Sequence, residues 1–140
     1  MIQEDKMIIG INHITISVKN IETAFIFYKD ILGLKPIMKS KFSSYFLAGK
    51  TWIALNQSEA FIPSENYAHI CFNISKNNFE KMKRRIYKDN VKEWQKSKTE
   101  GDSIYFYDDS GNKLEILYSN MKNKIKHGKK QWGKEIEWFI

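Results

Sequence analysis

At 140 residues, 42% apolar and 14% aromatic, the chain is long enough to bury a core as one globular domain and too apolar to be disordered. No apolar run reaches the roughly 18 residues that cross a bilayer, so no membrane partner is expected. The formal net charge of +7 sits largely on a predicted helix and a lysine-rich tail, as on solvated faces; this argues against nucleic acid and leaves an anionic small substrate well served.

The opening residues, MIQEDKMIIG, carry acid early and lack an apolar stretch before a small-residue cleavage site. Residues 1–7 read as a loose extension, the stretch is not a secretory signal, and the expected location is cytoplasmic. Residues 9–18 alternate as a strand, with Ile14, Ile16 and Val18 facing one way and His13, Thr15 and Ser17 the other. Asn20 can cap the helix that follows. Its apolar residues Ile21, Phe25, Tyr28 and Ile31 recur at helical spacing until Gly33 ends it. Strands are predicted at 34–39, 44–48 and 51–55, the last two joined by a Gly49-Lys50 turn. Residues 56–66 hold turn formers and a proline and connect two halves.

Then the pattern begins again. A strand over 67–74 places Tyr67, His69, Cys71 and Asn73 on one face. Ser75 caps a helix over 76–89 with Phe79, Met82 and Ile86 on its apolar stripe. Strands at 92–96, 103–107 and 113–118 follow, the last two joined by Asp109-Ser110-Gly111-Asn112. The expected fold is therefore α+β: two βαβββ modules, about 8–56 and 67–118, within one domain spanning 1–140, followed by a tail over 119–140. Each module would form a mixed sheet with its helix on the apolar side, and two such sheets curling together would enclose a partly polar cavity. The apolar tail residues Trp132, Ile136, Trp138, Phe139 and Ile140 would pack on the body or on a second subunit.

Glu115 stands in the apolar run Leu114-Glu115-Ile116-Leu117, where a carboxylate is costly to bury unless something positive meets it. His13 and His69 occupy matching places on the first strands of the two modules. Two imidazoles and a carboxylate make a site with open positions, suited to Mn, Fe, Zn, Co or Ni. Thr15 points to the same face as His13 and can hydrogen-bond a substrate oxygen, or serve as an ordinary strand threonine. Trp52 suits a cavity wall or the core equally. Tyr67 lies two before His69, and Tyr105 faces with Ser103 and Tyr107. The loop over 97–103 gathers hydroxyls, carbonyls and a carboxylate around Gly101, a composition that suits a hard cation or a solvated hairpin loop. Cys71 is the sole cysteine, which excludes an internal disulfide; it reads as a small core residue, with the cavity as the alternative. Neither a Ser-His-Asp ordering nor a glycine-rich phosphate loop is present.

Several segments together resemble a known family: GINHITISV at 10–18, FYKDILGLKP at 27–36, TWIAL at 51–55, NYAHICF at 66–72, VKEW at 91–94 and, most specifically, TEGDSIYFYDDSGNKLEI at 99–116. They resemble the vicinal oxygen chelate superfamily, which includes glyoxalase I, extradiol dioxygenases and fosfomycin resistance proteins, and within it the glutathione-dependent fosfomycin resistance transferases. The resemblance implies Mn(II) held by His13, His69 and Glu115. It implies a homodimer that pairs modules from two chains, so that His13 comes from one subunit and His69 with Glu115 from the other. The loop containing Ser97, Thr99, Glu100, Gly101 and Ser103 would bind K⁺. Thr15, Thr99 and Tyr105 would contact the phosphonate of fosfomycin, with Trp52, Tyr67, Gln95 and Lys124 also lining the substrate site. Tyr45 would lie near the thiol of glutathione and assist its ionisation, and Thr15 would share in catalysis.

Two positions depart from the family pattern. Gln95 stands where a phosphonate-binding Lys is usual, and the next residue, Lys96, points to the other face of a regular strand. Lys124 stands where the tail has an Arg, which loses bidentate recognition of the phosphonate. The alternatives are an extradiol dioxygenase, since two His and a carboxylate also hold non-haem iron, a non-catalytic drug-binding protein, and an epoxide hydrolase. The hydrolytic relatives place a Glu base near Ser43 or Ser44, and its absence here argues against hydration.

Overall fold

β1 (His13–Val18) buries Ile16 and Val18 and leaves His13, Thr15 and Ser17 exposed, as strict alternation requires. The structure, a computed structural model, describes residues 7–97 and 102–140. Its chain divides into two compact units between Ile62 and Pro63.

In the first unit β1 is followed by α1 (Ile21–Ile26), which runs on as a π-helical turn (Phe27–Ile31), then by β2 (Lys35–Lys39), β3 (Ser43–Ala48) and β4 (Thr51–Gln57). The sheet order is β1-β4-β3-β2, with β1 and β4 parallel and the other pairs antiparallel. A parallel pair needs a crossover, and α1 with β2 and β3 supplies it. Asn20 caps α1 by accepting from the Thr23 N–H at 3.0 Å. The π turn, closed by Leu32 N–H to the Phe27 carbonyl, brings both Phe27 and Tyr28 into the core beside Ile21 and Ala24. Gly33 then takes φ +72°, where a side chain would be strained.

The second unit repeats this order: β5 (Ile70–Asn73), α2 (Lys76–Lys88), β6 (Glu93–Gln95), β7 (Asp102–Tyr107) and β8 (Lys113–Tyr118). Its sheet order is β5-β8-β7-β6, with β5 parallel to β8. Ser75 caps α2 through the Asn78 N–H, and Phe79 and Ile86 are its buried residues. α2 packs on β8, whose Leu114 and Ile116 are buried. The expected α+β architecture of two four-stranded mixed sheets is thus present.

Boundaries differ where pairing decides them. β1 begins at His13 rather than at residue 9, because its neighbour β4 begins at Thr51 and offers earlier residues no partner. β5 begins at Ile70 rather than Tyr67, where a turn held by Ala68 N–H on Asn66 Oδ1 ends. β4 runs two residues past the expected Leu55, because Asn56 and Gln57 pair with Ser17 and Val18 and Gln57 Oε1 accepts the Ile21 N–H at the start of α1. β6 is short and carries a bulge between Glu93 and Gln95.

After β8, Asn120 caps α3 (Met121–Gln131) by accepting from the Asn123 N–H at 2.8 Å. Trp132 folds back over Gly128, where a Cβ would stand 2.5 Å from the indole, and stacks on Trp138. The tail thus packs on its own helix at these two residues, while Phe139 and Ile140 are exposed.

Candidate metal and substrate site

β8 positions Glu115 between two buried apolar neighbours, and the carboxylate is itself only 4% exposed. Both of its oxygens are engaged. Oε1 lies 3.0 Å from His69 Nε2, and Oε2 accepts from Ser103 Oγ at 3.0 Å. His69, the residue before β5, turns its Nδ1 to the Tyr67 carbonyl at 2.8 Å. A carbonyl only accepts, so Nδ1 carries a proton. In a neutral ring the Nε2 lone pair then faces the carboxylate, an arrangement that a metal ion bound by both groups would satisfy. Two ligands about 2.1 Å from one ion, at right angles, stand about 3.0 Å apart, which matches the observed separation. An imidazole with its other nitrogen on a carbonyl is also the usual support for a metal-binding His. Among the described residues no three His, Cys, Asp or Glu side chains cluster to hold a metal ion.

Aromatic side chains wall the pair. The His69 ring lies 5.1 Å from Tyr67, 5.2 Å from Trp94 and 5.9 Å from Tyr105, centroid to centroid. Trp94 is fixed by its Nε1–H on the Leu114 carbonyl. In a regular strand Trp94 and Gln95 would point to opposite faces; the bulge lets both reach Tyr67, Gln95 through Nε2–H on the Tyr67 hydroxyl at 3.2 Å. Tyr105 is buried, and that burial raises its phenol pKa above the ordinary value.

Cys71 is the register partner of Glu115 on β5. It is exposed at the surface, not the core residue expected, because its face of β5 is the side away from α2. Its thiol is pushed up to about 12, first by partial desolvation and then by the Glu115 charge. The Lys124 charge on α3 acts the other way, so Lys124 is electrostatically coupled to this edge of the site, although its own side chain is exposed.

In the first unit His13 opens β1 with Nδ1 2.7 Å from Asn12 Oδ1, leaving Nε2 unengaged by that contact. Its ring lies 4.4 Å from that of Trp52, its register partner, and Trp52 meets Tyr45 edge-on at 5.0 Å. Thr15, Ala54 and Tyr45 form the next row across the same face. Trp52 Nε1–H is buried with no acceptor among the described residues, a donor whose isolation costs on the order of 1–3 kcal/mol. Ser44 and Ser43 are both engaged, Ser44 Oγ donating to the Met38 carbonyl and Ser43 Oγ to Asn56 Oδ1.

The expected cation loop is described only at its edges. Thr99, Glu100 and Gly101 lie outside the described residues, Ser97 is exposed, and the Ser103 hydroxyl is committed to Glu115. Sequence reasoning placed Ser103 in the loop and missed this bond. The shared odd-numbered face of Ser103, Tyr105 and, on β8, Glu115 was the available signal. The Trp94 wall gave no signal, because a bulge is invisible in the alternation.

Residues 10–116 match the family model described as Glyoxalase/Bleomycin resistance protein/Dioxygenase superfamily. A metallothiol transferase FosB of Staphylococcus haemolyticus is 38% identical over 129 residues, covering 88% of this chain and 93% of that protein. A glutathione transferase FosA of Serratia marcescens is 31% identical over 123 residues, covering 85% and 87%. Among solved structures, the fosfomycin resistance protein FosX of Mesorhizobium loti superposes with TM-score 0.73 at 28% identity, covering 85% of this chain and 99% of its own. A variant of FosX from Listeria monocytogenes, complexed with Mn(II) and 1S,2S-dihydroxypropylphosphonic acid, gives 0.74 at 27% identity over 86% and 99%.

Proposed function

Since the chain belongs to the glyoxalase/bleomycin resistance protein/dioxygenase superfamily, and within it to the fosfomycin resistance proteins, we propose that it inactivates fosfomycin by adding a small thiol across the epoxide. The thiolate sulfur bonds to an epoxide carbon, the C–O bond breaks, and the oxygen takes up a proton. The observation that carries this reading is the His69–Glu115 pair, arranged around the place of a cation, in a chain so similar to metal-dependent thiol transferases.

In this reading His69 and Glu115 hold Mn(II) with His13 from a second copy, and the two modules of each chain act as one domain in a homodimer. The bound ion supplies Lewis acidity to the epoxide oxygen. Ser103 holds Glu115 aimed, and the Tyr67 carbonyl fixes the His69 tautomer. Thr15 and Tyr105 donate to the phosphonate, and Trp52 lines the substrate site beside His13. Tyr45, on the His13 face, orients the thiol and assists its ionisation by donating its phenol O–H to the sulfur; the proton released passes through solvent to the opened epoxide oxygen. Gln95 offers a neutral amide where a cation is usual, while Lys124 and K⁺ bound near residues 97–103 add positive charge. Glutathione is the first donor to test, since one relative is a glutathione transferase, with cysteine as the alternative thiol, since others are named more broadly as metallothiol transferases. Cytoplasm keeps such thiols reduced. Hydration is disfavoured because Ser43 and Ser44 place no carboxylate beside the substrate face.

Incubating the protein with fosfomycin, Mn²⁺ and K⁺, and resolving the products by mass with glutathione, cysteine or water alone, tests the proposal. A thiol adduct is expected. The diol in every arm would make it a hydrolase, and unchanged fosfomycin would remove the enzymatic reading.

A further inference from the structure

Resting on the function proposed above, we infer that Lys113 is a specificity-determining residue that binds an oxyanion of a substrate, the phosphonate of the epoxide or a carboxylate of the thiol donor. Lys113 lies two residues before Glu115 on β8 and so projects from the same face of the sheet. It is partly buried. Its Nζ donates to the Asn66 carbonyl, in the turn before His69, and stands 5.5 Å from the centre of the Trp94 ring. Trp94 in turn borders His69 and Tyr105.

Both of these partners are neutral. Among the described residues Lys113 forms no ion pair with a carboxylate. A lysine amine with one N–H on a carbonyl and a π-face beside it keeps further N–H donors for an incoming anion. The carbonyl and the ring also hold the amine in place, so little side-chain entropy remains to be lost on binding. The nearby Gln95 amide is uncharged and already donates to Tyr67, so it does not duplicate this role.

The test compares wild type, Lys113→Met and Lys113→Arg as Mn-loaded proteins, with KM measured separately for fosfomycin and for the thiol. Lys113→Met is expected to raise one of the two KM values roughly tenfold, with kcat within about twofold and Mn²⁺ affinity unchanged; Lys113→Arg restores most of the loss. A rise confined to fosfomycin identifies the phosphonate, and one confined to the thiol identifies the carboxylate. Unchanged KM values for both overturn the inference, as does a loss traced only to Mn²⁺ affinity, which would make Lys113 a support for His69. Should the wild type bind fosfomycin without turning it over, the transferase reading fails, and the same contrast measured as Kd for fosfomycin and inorganic phosphate still decides Lys113. Equal binding by all three proteins, or none by the wild type, counts against it.

Discussion

Glu115 is a carboxylate with both oxygens engaged: one accepts from a serine hydroxyl, the other faces His69 Nε2. Replacing it by Gln removes the charge and keeps the shape, so Mn²⁺ affinity should fall by about a hundredfold or more while the far-ultraviolet circular dichroism stays unchanged. Equilibrium Mn²⁺ titration by electron paramagnetic resonance reads this directly. Ser103→Ala leaves the ligands in place but loosens the carboxylate, and a loss of roughly tenfold in the same titration is expected. The Cys71 thiol, raised to about 12 by desolvation and the Glu115 charge, should resist alkylation in the metal-free protein. Only the thiolate reacts, so at pH 8 iodoacetamide modification should run at least about a hundredfold slower than with a free cysteine, rising with pH well beyond 9. Glu115→Gln removes one cause of the shift and should speed it. Equal rates in the two proteins would show that the carboxylate does not act on the thiol.

At the scale of elements, local chemistry was the readable part. Asn20 and Ser75 announced two helix starts, and Lys113–Tyr118 was readable to the residue because a run of alternating apolar side chains lies between a turn and a polar cap. What stayed hidden depended on neighbours distant in sequence. The true start of β1 is set by Thr51, and the reach of β4 by Ser17 and Val18. The π turn and the β6 bulge each insert one residue into a regular repeat, which alternation and helical spacing cannot register. The same limit governed the site: His13, His69 and Glu115 stood out by type and place, whereas the Ser103 bond and the Trp94 wall follow from register. At Gly128, in the stretch read from sequence only as a tail, the structure has helix α3 and the Trp132 indole occupies the space of a side chain. Gly128→Ala should displace that ring and unstack it from Trp138, seen as altered near-ultraviolet circular dichroism with α2 and the sheets unaffected.

For the whole molecule, the duplicated topology gives each unit a histidine at or just before the start of its first strand, and among the described residues Glu115 of the second unit is within hydrogen-bond distance of its own. In the reading proposed above, the third ligand is His13 of a partner copy. Symmetry makes this testable by complementation. His13→Ala and Glu115→Gln should each abolish thiol addition to fosfomycin. Mixed and allowed to exchange subunits, they form heterodimers in which one site carries both lesions and the other carries none. Recovery of about a quarter of wild-type activity after equal mixing is expected from random pairing; no recovery, with both variants folded and shown by native mass spectrometry to have exchanged, would contradict a metal site shared between two chains.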